Sequence, residues 1–210
     1  MKTTGYRAAL ALLAALPVAA SAQGFYLGGA LGYTELDDDL SVPTTKHDDA
    51  ATGLKLLVGY EANSMLGLEL QLASLGLYET DTVDSRFNDS FGSLTVVANG
   101  RIPIGSGFSV FGQAGFGVAS IGQDYAIATV SGTDPVLIED NEYDSGSTTQ
   151  LGGGFEYRDL NAMNQGLGFR IGYEQFDFDV DRVYMANGTL QSRSIGHTVK
   201  NTYAAVLYYF

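Results

Sequence analysis

The sequence has no cysteine and no tryptophan, only 4 prolines, and 11 basic side chains against 24 acidic ones in 210 residues. Without cysteine there is no disulfide, so the fold must be held by its own packing or by closure of a sheet. The formal net charge of −13 disfavours nucleic-acid binding, which needs a basic surface. Glycine is abundant at 27, with 13 tyrosines and 11 phenylalanines, and this composition favours closely packed strands.

The first residues have the pattern of a secretory signal peptide. Lys2 and Arg7 precede an apolar run, and Ala20-Ser21-Ala22 is a small-residue cleavage site. We expect residues 1–22 to be removed and residues 23–210 to form one domain with a net charge of −15, from 9 basic and 24 acidic residues. A membrane anchor is disfavoured because the apolar run is short for a span, and no later run of about 18 apolar residues predicts a transmembrane helix.

The rest of the chain consists of alternating apolar stretches separated by turn residues, which predicts eight strands. They are residues 24–36, 52–62, 66–77, 91–102, 107–122, 147–160, 166–179 and 198–210. Three connections are short and four are long, and they alternate along the chain. An even number of strands, with short turns at one end and long loops at the other, is the plan of an outer-membrane barrel.

Several predicted strands have one apolar face and one face of glycine and charge. In residues 52–61, Leu54, Leu56, Val58 and Tyr60 alternate with Lys55, Leu57, Gly59 and Glu61. A water-soluble barrel would place its apolar face inside, so here the apolar face is expected to contact lipid and the charged face to fill the lumen. An outward Arg or Lys would cost about 2–4 kcal/mol at the bilayer midplane. The alternation breaks at Leu75 and Leu77 and at Phe176 and Phe178, where we expect bulges or emergence from the membrane.

These features together resemble the OmpA-like family of small outer-membrane barrels, over nearly all of residues 23–210. The segments that carry the resemblance are Phe25–Tyr33, Gly53–Leu70, Phe169–Tyr173 and the C-terminal strand. The resemblance implies an all-β, eight-stranded antiparallel up-and-down transmembrane β-barrel in a Gram-negative outer membrane, with both termini in the periplasm. It also implies that Tyr208 and Phe210 belong to the signal read by the barrel-assembly machinery. Ala30 stands where the family's best-known member has an inward lysine, so no gating pair that needs this lysine is carried over.

Seven charged residues are predicted to share the lumen. They are Lys55, Glu69, Arg101, Glu156, Arg158, Arg170 and Glu174. Buried charges need partners, and an eight-stranded barrel has interior space only for its own side chains. We therefore expect a cross-lumen network that closes the barrel, with the alternative of a narrow or gated pore for ions and small solutes, controlled by Glu69 and Arg170.

Acidic residues dominate the predicted loops, with fifteen acids in residues 37–51, 78–90 and 123–146 against Lys46 and Arg86. Candidate cation ligands are Asp37, Asp38, Asp39, Asp48, Asp49, Glu139, Asp140, Glu142 and Asp144, because carboxylates suit hard cations. Such cations would bridge to phosphorylated lipopolysaccharide. No loop has EF-hand spacing, so the alternative is a solvated, repulsive surface, and we assign no metal and no cofactor.

Catalysis is not predicted from the histidines. His197 has Ser192 and Ser194 nearby in sequence, but residues three apart in a strand lie on opposite faces, and no acid completes a triad. A lipid A-modifying outer-membrane enzyme is therefore a less favoured function. A soluble lipocalin-like carrier is disfavoured because its lumen would be apolar. We predict a non-enzymatic barrel that contributes to envelope integrity or to surface interaction and adhesion, with outer-membrane lipid and lipopolysaccharide as its surroundings and an unidentified surface ligand.

Overall fold

The computed structural model describes residues 24–38, 46–47, 50–81, 85–131, 134–161, 165–186 and 189–210. The predicted signal peptide and the candidate ligands Asp39, Asp48 and Asp49 lie outside these ranges. Within the ranges, no helix is long and apolar enough to cross a membrane.

Eight long strands form one sheet. They are β1 (Phe25–Asp38), β2 (Ala50–Glu61), β3 (Leu66–Asp81), β4 (Ser85–Gly105), β5 (Phe108–Ser131), β6 (Asp134–Leu160), β7 (Gly166–Ala186) and β8 (Thr189–Tyr209). Each pairs antiparallel with the next, and a two-residue strand, Lys46–His47, pairs with β3. β1 also pairs antiparallel with β8, from Tyr26–Tyr209 to Asp38–His197, so the sheet closes. The predicted fold class and the pairing of the first strand with the last are confirmed.

The closed sheet is staggered by ten residues. Starting from Gly28 on β1, the register passes through Leu57, Gln71, Thr95, Gly117, Thr148, Phe178 and His197 and returns to β1 at Asp38. This offset, from position 28 to position 38, is the shear of the barrel, and it tilts the strands by roughly 35–45° to the axis. A barrel of eight strands has an interior just wide enough for side chains to fill.

Three short turns lie at one end of the barrel, which we call the short-turn end. They join β2 to β3, β4 to β5 and β6 to β7, as the sequence predicts. The turn between β4 and β5 places Gly105, Ser106 and Gly107 at φ of 108°, 53° and 83°. Because left-handed backbone favours glycine, this pair of glycines allows the tight reversal.

The four connections at the opposite end are shorter than predicted, and we call it the hairpin end. β5 and β6 continue pairing until Ser131 faces Asp134, and β7 and β8 until Ala186 faces Thr189. Residues predicted as the long loops 123–146 and 180–197 are therefore mostly strand. Aspartate and glycine are uncommon in strands, and this misled the prediction. A hairpin satisfies backbone donors and acceptors whatever its side chains are, so pairing continues through the acidic segments.

The alternation of the two faces is confirmed, with large apolar side chains outside and the charged residues inside. The outward set includes Leu54, Leu56, Leu68, Leu72, Phe116, Leu151, Phe155 and Ile171, all exposed. A bulge between Ser74 and Gly76 explains one break in the pattern, since it leaves Leu75 inside at 1% exposure and turns Leu77 outward at 74%. The second break in the pattern, at Phe176 and Phe178, involves no bulge, since the register of β7 is continuous there. Both rings point into the barrel.

Candidate functional site: the closed lumen

Arg170 on β7 lies at the centre of the lumen and joins two carboxylates. Its Nη1 donates to Glu69 Oε1 on β3 at 2.7 Å, and its Nε donates to Glu156 Oε2 on β6 at 2.9 Å. All three side chains are fully buried. The guanidinium also lies 4.7 Å from the centre of the Phe111 ring, and Tyr26 donates to Glu69 through its hydroxyl. The two residues named for the alternative of a gated pore are thus in direct contact with each other.

Glu156 extends this contact towards the short-turn end. It receives a hydrogen bond from the Tyr209 hydroxyl at 3.0 Å and one from Arg158, and Arg101 Nε lies 3.3 Å away. Glu61, at the end of β2, binds both of these arginines, with Arg101 Nη1 donating at 2.7 Å. We did not include Glu61 among the lumen charges, although its position six residues after Lys55 on one strand places it on the same face.

Glu174 on β7 anchors the other half of the network. Lys55 Nζ lies 2.8 Å from each of its carboxylate oxygens, and the amides of Gln113, Gln150 and Asn201 each donate to it at 2.8 Å. The Lys55 ammonium also lies 3.5 Å from the centre of the Tyr203 ring. This carboxylate therefore has partners from β2, β5, β6 and β8, so it joins distant parts of the wall.

Two glutamines connect the halves into one network. Gln150 donates to Gln71 Oε1 at 2.8 Å and also to Glu174, while Gln71 donates to Glu69. With Glu61 included, the network contains four cations and four carboxylates. Each of these charges is within contact distance of an opposite one, so the network itself carries no net formal charge.

An apolar cluster covers the network on the side of the hairpin end, and we call it the plug cluster. Its members are Leu36, Ala73, Leu75, Tyr78, Phe91, Ala119, Ile121, Phe176, Phe178, Val180 and Val199. The Phe91 ring lies 5.6 Å from Tyr78 and 5.7 Å from Phe178, measured between centroids. We did not predict this cluster. The available signal was that Phe176 and Phe178 follow Glu174 at even spacing and therefore share its inward face.

His197 lies among the aromatic rings of this apolar region. It is buried, with ring centroids 5.4 Å from Phe91 and 5.7 Å from Phe178. Ser194 is exposed, so the described serine and histidine lie on different faces of β8. The Ser192 side chain lies outside the described part of the structure.

The candidate cation ligands are only partly described. Asp37 is exposed on β1 and lies 3.4 Å from Lys200 Nζ. Asp144 lies on β6, and the side chains of Asp38, Glu139, Asp140 and Glu142 are outside the described part. Among the described residues no three acidic or histidine side chains gather closely enough to hold a metal ion. Cation binding by these acids stays a prediction.

The two residues of the predicted assembly signal lie side by side at the short-turn end. Tyr208 points outward from β8 and is 48% exposed, and its ring lies 5.0 Å from the ring of Phe210 in an edge-on arrangement. The backbone N–H of Phe210 donates to the carbonyl of Phe25 at 3.0 Å, so the end of β8 is fixed against β1.

Solved structures that align with most of this chain are distant in sequence. Neisserial surface protein A is 12% identical, with a TM-score of 0.54, and the match covers 89% of this chain and 97% of that one. Ail, the attachment invasion locus protein of Yersinia pestis, is 15% identical, with a TM-score of 0.49 over 90% and 100% of the two chains. The outer membrane protease OmpT of Escherichia coli is 12% identical, with a TM-score of 0.39 over 89% and 97%. At these identities the similarity shows the fold alone.

No curated protein is significantly similar to the chain. The family of the outer membrane protein beta-barrel domain, in contrast, matches over residues 8–202, which is nearly the whole sequence. The closed eight-stranded sheet, the apolar outward face and the charged interior agree with this match. The chain therefore belongs to the family of outer membrane protein beta-barrel domains.

Proposed function

We propose that this protein is a non-enzymatic outer-membrane barrel with a closed lumen, which contributes to envelope integrity or to surface interaction and adhesion. One observation carries the proposal: the interior is occupied by side chains in two successive layers. The paired network around Arg170 and Glu174 fills the half near the short turns, and the plug cluster fills the half near the hairpins. A route for ions would need both layers to separate.

We place the short-turn end and both termini in the periplasm and the hairpin end outside the cell. Outer-membrane barrels of this family have short periplasmic turns and longer external connections. Tyr208 and Phe210 would then lie near the periplasmic interface, where the barrel-assembly machinery reads the last strand. Export would depend on the predicted signal peptide, and the outward apolar side chains would contact outer-membrane lipid and lipopolysaccharide.

Planar-bilayer recording tests the closed lumen. The refolded protein is expected to insert without discrete conductance steps, because separating the buried Arg170–Glu69 pair would leave the Glu69 carboxylate without a cationic partner. A double variant, Phe176→Gly with Phe178→Gly, removes two rings of the plug cluster, and Phe169→Gly with Ile171→Gly removes two outward side chains as a matched control. Discrete steps from the unaltered protein would contradict the closed lumen and favour the pore.

Enzymatic activity is tested separately from the closed lumen. We expect no lipid A deacylation or palmitoylation and no peptide cleavage by the refolded protein. The described His197 lies between phenylalanine rings and away from the exposed Ser194. Activity that disappears in His197→Ala, while the gel mobility of the folded barrel is retained, would show that the non-enzymatic assignment is wrong.

A further inference from the structure

A shallow groove of about 430 Å³ crosses β2 to β6 on the outer surface of the barrel, and we call it the outer groove. Its outward side chains include three leucines and three hydroxyl-bearing residues, namely Leu54, Leu56, Leu72, Ser74, Ser120 and Tyr143. Sites for small molecules in proteins have volumes of roughly 300–1,000 Å³. None of the described residues that line the groove is charged, so it suits a largely apolar, neutral group.

The floor of the outer groove is made of small residues. Ser74 pairs with Gly92 and Gly92 pairs with Ser120, so three small residues follow one another across β3, β4 and β5. A Cβ atom added to Gly92 would approach nothing closer than Ser120 Oγ, at 3.4 Å. Tyr143 rises beside this floor, because it is 77% exposed and its ring lies against Gly122. The floor is therefore open outward, and an aromatic ring bounds it on β6.

The outer groove lies where the outward surface changes from apolar to charged. The adjacent outward row on the side of the short turns contains Leu72, Leu94 and Val118, which pair in sequence and are all exposed. On the side of the hairpins, Asp124 is exposed on β5 a short distance beyond Ser120. The apolar band of a membrane barrel contacts hydrocarbon and its charges stay outside that band. The groove is thus at the depth where acyl chains join their head groups.

A lipid bilayer would supply an occupant that fits both halves of this groove. An empty space beside the wall would deprive the leucines of dispersion contacts, and hydroxyls that face hydrocarbon need hydrogen-bond partners. Ser90 has one within the wall, since its Oγ donates to the Gly122 carbonyl at 3.0 Å. Ser74 and Ser120 are exposed on the outer face and are placed to donate outward. An ester-linked acyl chain offers methylene groups to the leucines and a carbonyl oxygen to the serines.

We propose that the outer groove binds one ester-linked acyl chain of a membrane lipid. The chain packs against the leucines, and its ester carbonyl accepts a hydrogen bond from Ser74 or Ser120. Lipid tails are as apolar as leucine, so packing and hydrogen bonding, and not the hydrophobic effect, retain this chain in preference to its neighbours. Outer-membrane barrels of this family contact lipid with their outward faces. The inference therefore rests on the proposed orientation only for the leaflet, which is the outer one.

Native mass spectrometry of the full barrel, released from nanodiscs of a diacyl phospholipid, tests the binding. We expect one lipid to stay bound after the surrounding lipid is stripped. Gly92→Leu and Ser120→Leu each fill the groove and should lower the retained fraction by about fivefold or more, the effect of losing even one hydrogen bond. The matched controls are Gly100→Leu on β4 and Ala114→Leu on β5, which point outward beyond the groove and should retain the lipid. Equal retention by all these variants would overturn the proposal.

A second lipid tests the contact with the serines. A dialkyl lipid with the same head group has ether links in place of esters, so it lacks the carbonyl acceptor. We expect the unaltered protein to retain the diester about fivefold better than the diether, and Ser74→Ala with Ser120→Ala to remove this preference. Ser147→Ala with Thr149→Ala, which removes two exposed hydroxyls of β6 outside the groove, is the matched control. Equal retention of the two lipids by the unaltered protein would refute the proposal.

Crosslinking from a diazirine placed on the acyl chain near the ester tests the location and the occupant. The crosslinks should concentrate on β2 to β5, and even labelling of all eight strands would show a general lipid contact only and refute the site. A doubled mass that disappears in Gly92→Leu would identify a second copy of the chain as the occupant, and exchange of the lipid for added free fatty acid would identify a soluble ligand. Either result would refute the proposal. Conductance steps in bilayers would contradict the closed lumen but not this site.

Discussion

Replacing Arg170 should cost much of the stability of the barrel, and the cost should depend on which carboxylate loses its partner. Arg170→Met removes the cation that contacts both Glu69 and Glu156, at 2.7 Å and 2.9 Å. Breaking a buried pair by removing one partner typically costs about 3–5 kcal/mol, because an uncompensated charge stays buried. We expect the free energy of unfolding to fall by an amount in this range.

The structure assigns most of this cost to Glu69. After the substitution Glu156 still has Arg101, Arg158 and the Tyr209 hydroxyl as partners, whereas Glu69 keeps only neutral donors from Tyr26 and Gln71. Adding Glu69→Gln to Arg170→Met should therefore recover about 1–3 kcal/mol, the desolvation cost of an unpaired buried group. Adding Glu156→Gln instead should recover nothing, since that carboxylate is not left alone.

Urea unfolding in lipid vesicles measures this difference. The folded fraction is read from the heat-modifiable gel shift and from tyrosine fluorescence, which is available because the chain has 13 tyrosines and no tryptophan. The unaltered protein and the two double variants are compared with Arg170→Met under identical conditions. Equal recovery by Glu69→Gln and Glu156→Gln would refute this division of the network, as would a loss below about 1 kcal/mol for Arg170→Met.

Two further substitutions test the packing of the interior. Phe178→Ala should lower the free energy of unfolding by about 3–5 kcal/mol because it opens a cavity in the plug cluster, whereas the outward Phe169→Ala should cost much less in the same urea assay. Gly59→Ala should prevent Tyr26 from reaching Glu69, because the added Cβ would overlap the tyrosine ring, and should lower the yield of folded barrel on the gel. Gly29→Ala is the matched control, since its Cβ would approach nothing closer than 3.9 Å, and equal losses in both variants would contradict the packing.

The strand number and the two faces of the wall could be predicted because they depend on local periodicity. Lys55 and Leu57 share a face simply because side chains alternate along a strand. The partner of each charge could not be predicted in the same way. Lys55 contacts Glu174, which lies 119 positions further along the chain. The ten-residue stagger determines which residues of different strands lie at the same level along the barrel axis and can therefore meet. Composition and alternation contain no information on this stagger.

The plug cluster and the length of the hairpins were missed for different physical reasons. Phe176 and Phe178 were interpreted as a change of face, since Tyr173 on the same strand points outward, yet they pack against residues from several other strands. The acidic parts of β5 to β8 near the hairpin end were interpreted as loops because of their composition. Their pairing depends on backbone hydrogen bonds, which side-chain patterns do not report.

The contact between β1 and β8 has a consequence for the order of assembly. Tyr26 faces Tyr209, so the first strand of the barrel acquires its second neighbour only when the last strand has been delivered. Pairings so distant along the chain form slowly, and unpaired edges are prone to aggregation while they wait. Tyr209 also donates to Glu156, and Asn201 donates to Glu174. Sealing of the wall and completion of the hydrogen bonds to these two carboxylates are thus one event, so a barrel halted before that step would carry buried charges without their full set of partners.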